Sequence, residues 1–218
     1  VVALYGYGNI GNGQQLEVSS ANGLSDLRDE SKNGKFNSTS ISYKKIHELG
    51  TTKLSYGQTE YKTGGKFADL DLNGQIKYID LLNDYQFSRN QSMQLGLHLK
   101  QNSQDVGIIG LNESQKYGYI NIGTNYFNYW NGLKYGLNID LEKGIGGSRD
   151  FNEVPLMGDF NPHFTTIKLN LETAYNFENG MLWNGKFGYQ NSSSGTPSAN
   201  SFYIGGPDRG RAYTTGFA

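Results

Sequence analysis

The chain of 218 residues has no cysteine, so neither a disulfide framework nor a thiolate metal site is open to it. Histidine is scarce as well, and His47, His98 and His163 share no metal-ligand spacing. No apolar run approaches the roughly 20 residues that a membrane-crossing helix needs. Mean hydropathy is −0.60 and only 36% of residues are hydrophobic. Charge of one sign is also missing: 19 Lys and Arg against 20 Asp and Glu leave a net charge of −1. A nucleic-acid partner, which calls for a basic excess, is therefore not expected. No Ser/His/Asp or paired-carboxylate constellation stands out, so the sequence supports neither an enzyme nor a cofactor. A signal peptide is lacking too. Val1, however, falls inside an expected strand, so the chain is expected to be a piece of a longer protein and this lack says nothing about secretion.

What is present is glycine and aromatic side chains, with Gly 30, Tyr 16 and Phe 11 against Pro 4, and a period of two. From His163 to Phe177, Thr165, Ile167, Leu169, Leu171, Thr173, Tyr175 and Phe177 alternate with Thr166, Lys168, Asn170, Glu172 and Asn176. Successive side chains of a strand point to opposite faces, so this is a strand apolar on one side and polar on the other. Met93, Leu95, Leu97 and Leu99 oppose Gln94, Gly96, His98 and Lys100 in the same way. The pattern predicts ten strands, at about Val1–Gly8, Gln14–Ser20, Asn37–Ile46, Thr51–Tyr61, Gly74–Phe87, Ser92–Gln101, Gln115–Phe127, Leu133–Lys143, His163–Phe177 and Met181–Gln190.

The connections alternate between two classes. Asn9–Gly13, His47–Gly50, Ser88–Gln91, Asn128–Gly132 and Glu178–Gly180 are short, whereas Ala21–Phe36, Lys62–Asn73, Asn102–Ser114, Gly144–Pro162 and the segment after Gln190 are long. An up-and-down meander with turns at one rim and loops at the other has this rhythm, and in outer-membrane barrels the loops face outside. Tyr85, Phe87, Tyr126, Phe127, Tyr129, Trp130, Tyr175, Phe177 and Trp183 gather at the short side, where an aromatic girdle belongs. The expected fold is thus all-β, an antiparallel transmembrane β-barrel or a part of one. A soluble antiparallel sandwich is the competing fold, but its strands centre on about 5–6 residues, whereas a tilted bilayer-crossing strand needs about 9–11.

Few motifs carry chemistry. Gly144–Gly147 with Ser148 follows a strand like a phosphate loop but lacks the lysine and the helix. Asp150, Glu153 and Asp159 lack calcium-loop spacing and read as solvated loop carboxylates. Lys134, Asn138, Asp140, Lys168, Asn170, Glu172 and Lys186 fall on polar faces and are expected to line a hydrated lumen of mixed charge. Such a wall suits a sliding polypeptide and a passive porin equally. The last segment, SFYIGGPDRGRAYTTGFA from Ser201 to Ala218, combines a Gly205-Gly206-Pro207-Asp208 turn with Arg209, Gly210, Arg211 and Tyr213. Folded into a lumen, such an arginine could dock on wall carboxylates through charge-assisted hydrogen bonds.

That segment resembles the loop-six signature of the two-partner secretion transporters, the haemolysin secretion/activation family, usually LGGPDxVRxY. The family's arginine corresponds to Arg211 and its tyrosine to Tyr213, while Gly210 replaces the valine. NIGNGQQLEVSS from Asn9 to Ser20 is similar to the family's turn and third strand. EYKTGGKFADLDLNGQIKYI and YQFSRNQSMQL resemble its loop-three to seventh-strand region, with Arg89 in the short turn. The resemblance implies that the ten strands are the second to the eleventh of a sixteen-stranded outer-membrane barrel. It also implies two POTRA modules and further C-terminal strands outside this chain, including the acidic wall residue that would hold Arg211. The implied partners are a secreted exoprotein, unfolded in transit, and outer-membrane lipid. A porin-like diffusion barrel explains the strands but not IGGPDRGRAY, and an adhesin-like β-protein would show a repeat of fixed period, which is not seen.

Overall fold

Two Asn-Gly pairs set the register of their hairpins. Asn12 and Gly13 have φ of 49° and 72°, and Asn131 and Gly132 have 45° and 81°. Both pairs form the left-handed turn whose twist matches the strands on either side, and Asn-Gly tolerates that backbone best. The computed structural model describes residues 2–24, 34–63, 71–197 and the single positions 69 and 200. Its strands are β1 (Val2–Gly11), β2 (Gln14–Leu24), β3 (Lys35–His47), β4 (Gly50–Lys62), β5 (Leu72–Ser88), β6 (Gln91–Val106), β7 (Leu111–Trp130), β8 (Leu133–Phe151), β9 (Thr165–Asn176) and β10 (Leu182–Ser192). They form one antiparallel sheet in sequence order, and among the described residues β1 and β10 are not paired to each other.

All ten expected strands are present, and several run past the limits that alternation sets. Strand β6 continues to Val106 and β7 begins at Leu111, so the expected long connection Asn102–Ser114 shrinks to residues 107–110 around a short 3-10 turn. Strand β8 runs through Gly144–Gly147 and Ser148 to Phe151, with a bulge where Gly118 and Tyr119 face Gly146 and Gly144. The phosphate-loop-like stretch is therefore ladder, not loop. The reason is physical: backbone pairing continues where the apolar face has ended, so the hydropathy pattern vanishes before the strand does.

The register stacks the apolar side chains into rows. Leu16, Tyr43, Leu54, Leu81, Leu97 and Ile120 stand opposite one another across six strands. Val18, Ile41, Tyr56, Ile79 and Leu99 form the next row toward the loop-side rim. These rows are exposed: Leu99 is 47% and Leu54 49% accessible. The other face is the shielded one, with Ser42, Ser55, Asn121 and Glu142 buried. A water-soluble sandwich would press its apolar rows against a second sheet about 10 Å away. Here one sheet carries them outward, so the usual inside and outside are exchanged.

The apolar cluster that is buried lies on the polar face. Tyr117, Tyr119 and Phe164 form it, with Phe160 packed against them. Phe164 is fully buried and reaches Tyr119 at 5.9 Å and Tyr117 at 6.2 Å between ring centres. The girdle aromatics divide between the faces. Tyr126 and Tyr135 pair at 6.2 Å, and Trp183 stands opposite Tyr175. Phe127 and Tyr129 share the face of Asn125.

Candidate functional site

The polar face is built by register. Lys134, Asn138 and Asp140 on β8 share it with Lys168, Asn170 and Glu172 on β9 and Lys186 on β10. Asn138 stands opposite Asn170, Asp140 opposite Lys168, and Glu172 opposite Lys186. Asn170 donates to Asn138 Oδ1 at 3.0 Å and Asn138 donates to Asn125 Oδ1 at 2.8 Å, so one amide ladder crosses three strands. A second ladder crosses four strands. Asn121 donates to Asp140 Oδ1 at 2.8 Å, its own Oδ1 lies 2.8 Å from His98 Nε2, and His98 Nδ1 lies 2.7 Å from Asp80 Oδ1. His98 also lies flat against Tyr119, with ring centres 4.4 Å apart. Both its nitrogens are engaged, and among the described residues no His, Asp and Glu cluster could hold a metal ion.

Several charges on this face are matched. Lys168 pairs with Glu142, whose side chain is only 5% exposed, and Lys53 pairs with Glu17 at 2.9 Å. Lys186 and Glu172 meet at 3.0 Å with both side chains largely in solvent, an ion pair of little energetic weight. Lys134 is exposed near the turn-side rim. The seven residues expected from the sequence thus occupy one surface, where most side chains are tied to a cross-strand neighbour.

Sequence reasoning missed the loop-side half of this surface. Glu113, fully buried in its side chain, lies 2.7 Å from Arg149 Nε. Glu113 Oε2 accepts the backbone N–H groups of Leu156 and Met157, the latter at 2.9 Å. One carboxylate therefore pulls the β8–β9 connection, residues 152–164, onto the polar face and over Tyr117. Parity was the available signal: Glu113, Gln115, Tyr117 and Tyr119 are spaced by two and share the face of Asn121.

Asn200 ends the described chain on the same surface and is 4% exposed. It donates to Glu142 Oε2 at 3.1 Å, accepts from the Tyr117 hydroxyl at 2.9 Å, and its carbonyl accepts from Gln190 at 2.9 Å. The expected signature residues Gly205, Gly206, Pro207, Asp208, Arg209, Gly210, Arg211 and Tyr213 lie outside the described residues. Just ahead of β5, at the loop-side rim, Asp71 pairs with Lys62, the last residue of β4. The hydrogen bond and the charge of Lys62 hold the Asp71 carboxyl below the usual carboxylate range.

A single meander with an apolar exposed face, a hydrogen-bonded polar face and turns at one rim defines the wall of an outer-membrane β-barrel. The sequence profile of the haemolysin secretion/activation protein ShlB/FhaC/HecB family matches residues 16–213. The chain belongs to that family, whose members are outer-membrane transporters of two-partner secretion. Among curated proteins and among solved structures, nothing matched the chain.

Proposed function

We propose that the polar face lines the pore through which an unfolded secreted partner crosses the outer membrane, and that the apolar face meets lipid. The observation that carries this is the pairing of a secretion-transporter family match with a face on which most amides and charges are tied to a cross-strand neighbour. An extended polypeptide exposes a donor and an acceptor at every residue. A wall of unpaired polar groups or apolar patches would hold it, whereas a wall already tied within itself lets it slide. The step is vectorial movement, with no bond made or broken by the transporter.

The segment after β10 is the proposed control element. Asn200 is tied to Glu142 and Tyr117 on the polar face, so the last described residue lies on the proposed pore side of the wall. Arg211 then acts as a tether to a wall carboxylate, within a complete barrel of sixteen strands that carries POTRA modules. The test is Arg211→Ala in the full-length transporter, co-expressed with its exoprotein. Secretion should fall while heat-modifiable mobility of the barrel stays that of the wild type. Unchanged secretion removes the role of Arg211. A transporter that passes small solutes but exports no partner would be a porin, and the proposal would fail.

A further inference from the structure

On the apolar face the row Tyr56, Ile79, Leu99 is the last apolar one toward the loop-side rim. The next row reads Gln58, Lys77, Gln101, Lys116 and Ser148 in direct register across five strands. Lys77 is half-buried and Lys116 exposed. Neither ammonium group makes a hydrogen bond or ion pair among the described residues, and their cross-strand neighbours Gln58, Gln101 and Ser148 are uncharged. Lys35, Lys44, Lys45 and Lys134 likewise lack an ion pair among the described residues, but none of them borders the loop-side end of the Tyr56, Ile79, Leu99 row, and Lys53, Lys62, Lys168 and Lys186 each meet a carboxylate. The Lys77 and Lys116 ammonium groups stand on β5 and β7 with β6 between them, so their backbones are about 10 Å from each other.

A shallow, open depression of about 480 Å³ lies along this boundary, lined by Tyr56, Ile79 and Leu99 from the apolar row and by Lys77, Gln101 and Lys116 from the next. Gly146 leaves it open at its end, since a Cβ there would meet nothing within 4 Å. The Gln101 amide makes only long contacts of 3.4 and 3.5 Å with Ser103 and Ser114, and so is free to turn toward a ligand. Unpaired cations at the upper limit of an apolar wall fit the headgroup level of a membrane lipid that carries negative charge. The loop-side rim of an outer-membrane barrel is the external one, which assigns the site to the outer leaflet.

We propose that this depression binds a phosphorylated glycolipid of the outer leaflet. Its acyl chains lie along Tyr56, Ile79 and Leu99. Its phosphates sit on Lys77 and Lys116, and Gln101 donates to the sugar or phosphate oxygen between them. Two phosphates on a glucosamine disaccharide fit two cations about 10 Å apart across an intervening strand better than the single phosphate of an ordinary phospholipid.

The test uses the full-length transporter in phosphatidylcholine nanodiscs, titrated with bis-phosphorylated lipid A and read by native mass spectrometry. The double variant Lys77→Gln, Lys116→Gln should bind about 30-fold more weakly, about fivefold for each ammonium group lost. Lys143→Gln is the control. It lies on the same face but is tied to the His163 carbonyl at 2.9 Å, and its loss should leave binding within twofold. Lipid A stripped of phosphate should bind the wild type as weakly as intact lipid A binds the double variant, a comparison independent of any folding defect. Equal binding of intact and stripped lipid, or equal binding to wild type and double variant, overturns the proposal. So does full competition by millimolar inorganic phosphate, which would mark an anion site without lipid.

Discussion

Leu97→Lys separates a lipid-facing wall from a water-facing one. Leu97 stands between Leu81 and Ile120 in the register and is 38% exposed. Along β6 it has Met93 and Leu95 on the turn side and Leu99 on the loop side, which puts it near the middle of the apolar band. A lysine on the lipid face at the bilayer midplane costs about 2–4 kcal/mol. The same change at a partly exposed position in water stays within about 0.5 kcal/mol. The two expectations differ by at least about tenfold in the folding equilibrium, which reversible urea unfolding of the full-length protein in phospholipid vesicles resolves. Gln94→Lys is the internal control on the opposite face. Gln94 donates to Asp84 at 3.0 Å, so a lysine there gains an ion-pair partner, and its effect should stay within about 1 kcal/mol. The reasoning is refuted if Leu97→Lys costs no more than Gln94→Lys.

Two further outcomes follow from the loop-side rim. Glu113→Ala leaves the Arg149 guanidinium, 17% exposed, without its partner and releases the Leu156 and Met157 amides. It should destabilise the protein by about 3 kcal/mol and speed hydrogen exchange across residues 152–164, and unchanged exchange there would contradict the latch. Asp71 has its folded-state carboxyl lowered by Lys62. Its contribution is therefore present above the unfolded value and is lost only as pH falls through the lower folded one. Lys62→Met should return the Asp71 carbon-13 titration to the ordinary carboxylate range; no movement would mean that Lys62 is not the cause.

The wall was legible in the sequence because each strand had to keep one face apolar. Residues such as Leu133, Ile139 and Leu141 against Lys134, Asn138 and Asp140 leave no other parity. The turns were legible through Asn12-Gly13 and Asn131-Gly132, whose backbone few other pairs adopt. The upper ends of the strands were not. Ser103, Asp105, Asn112 and Ser114 are polar on a face that is apolar lower down, so nothing in their chemistry separates ladder from loop. The latch at Glu113 was invisible for a different reason: it depends on Leu156 and Met157 returning across 43 and 44 residues to one carboxylate. Tyr117 and Tyr119 were a fair clue, being large rings set between Glu113, Gln115, Asn121 and Gly123 on one face of their strand.

The central claim is that cargo moves along the polar face and never touches the apolar one. A photo-crosslinking side chain placed in the full-length transporter at Asn138, Ile139, Leu169 or Asn170, during active secretion of the exoprotein, tests it directly. Adjacent positions point to opposite faces, so a shift of one residue changes the environment completely. Crosslinks to the exoprotein from Asn138 and Asn170, with none from Ile139 and Leu169, are the predicted result. Crosslinks of equal yield from both pairs, or from Ile139 and Leu169 alone, would contradict it.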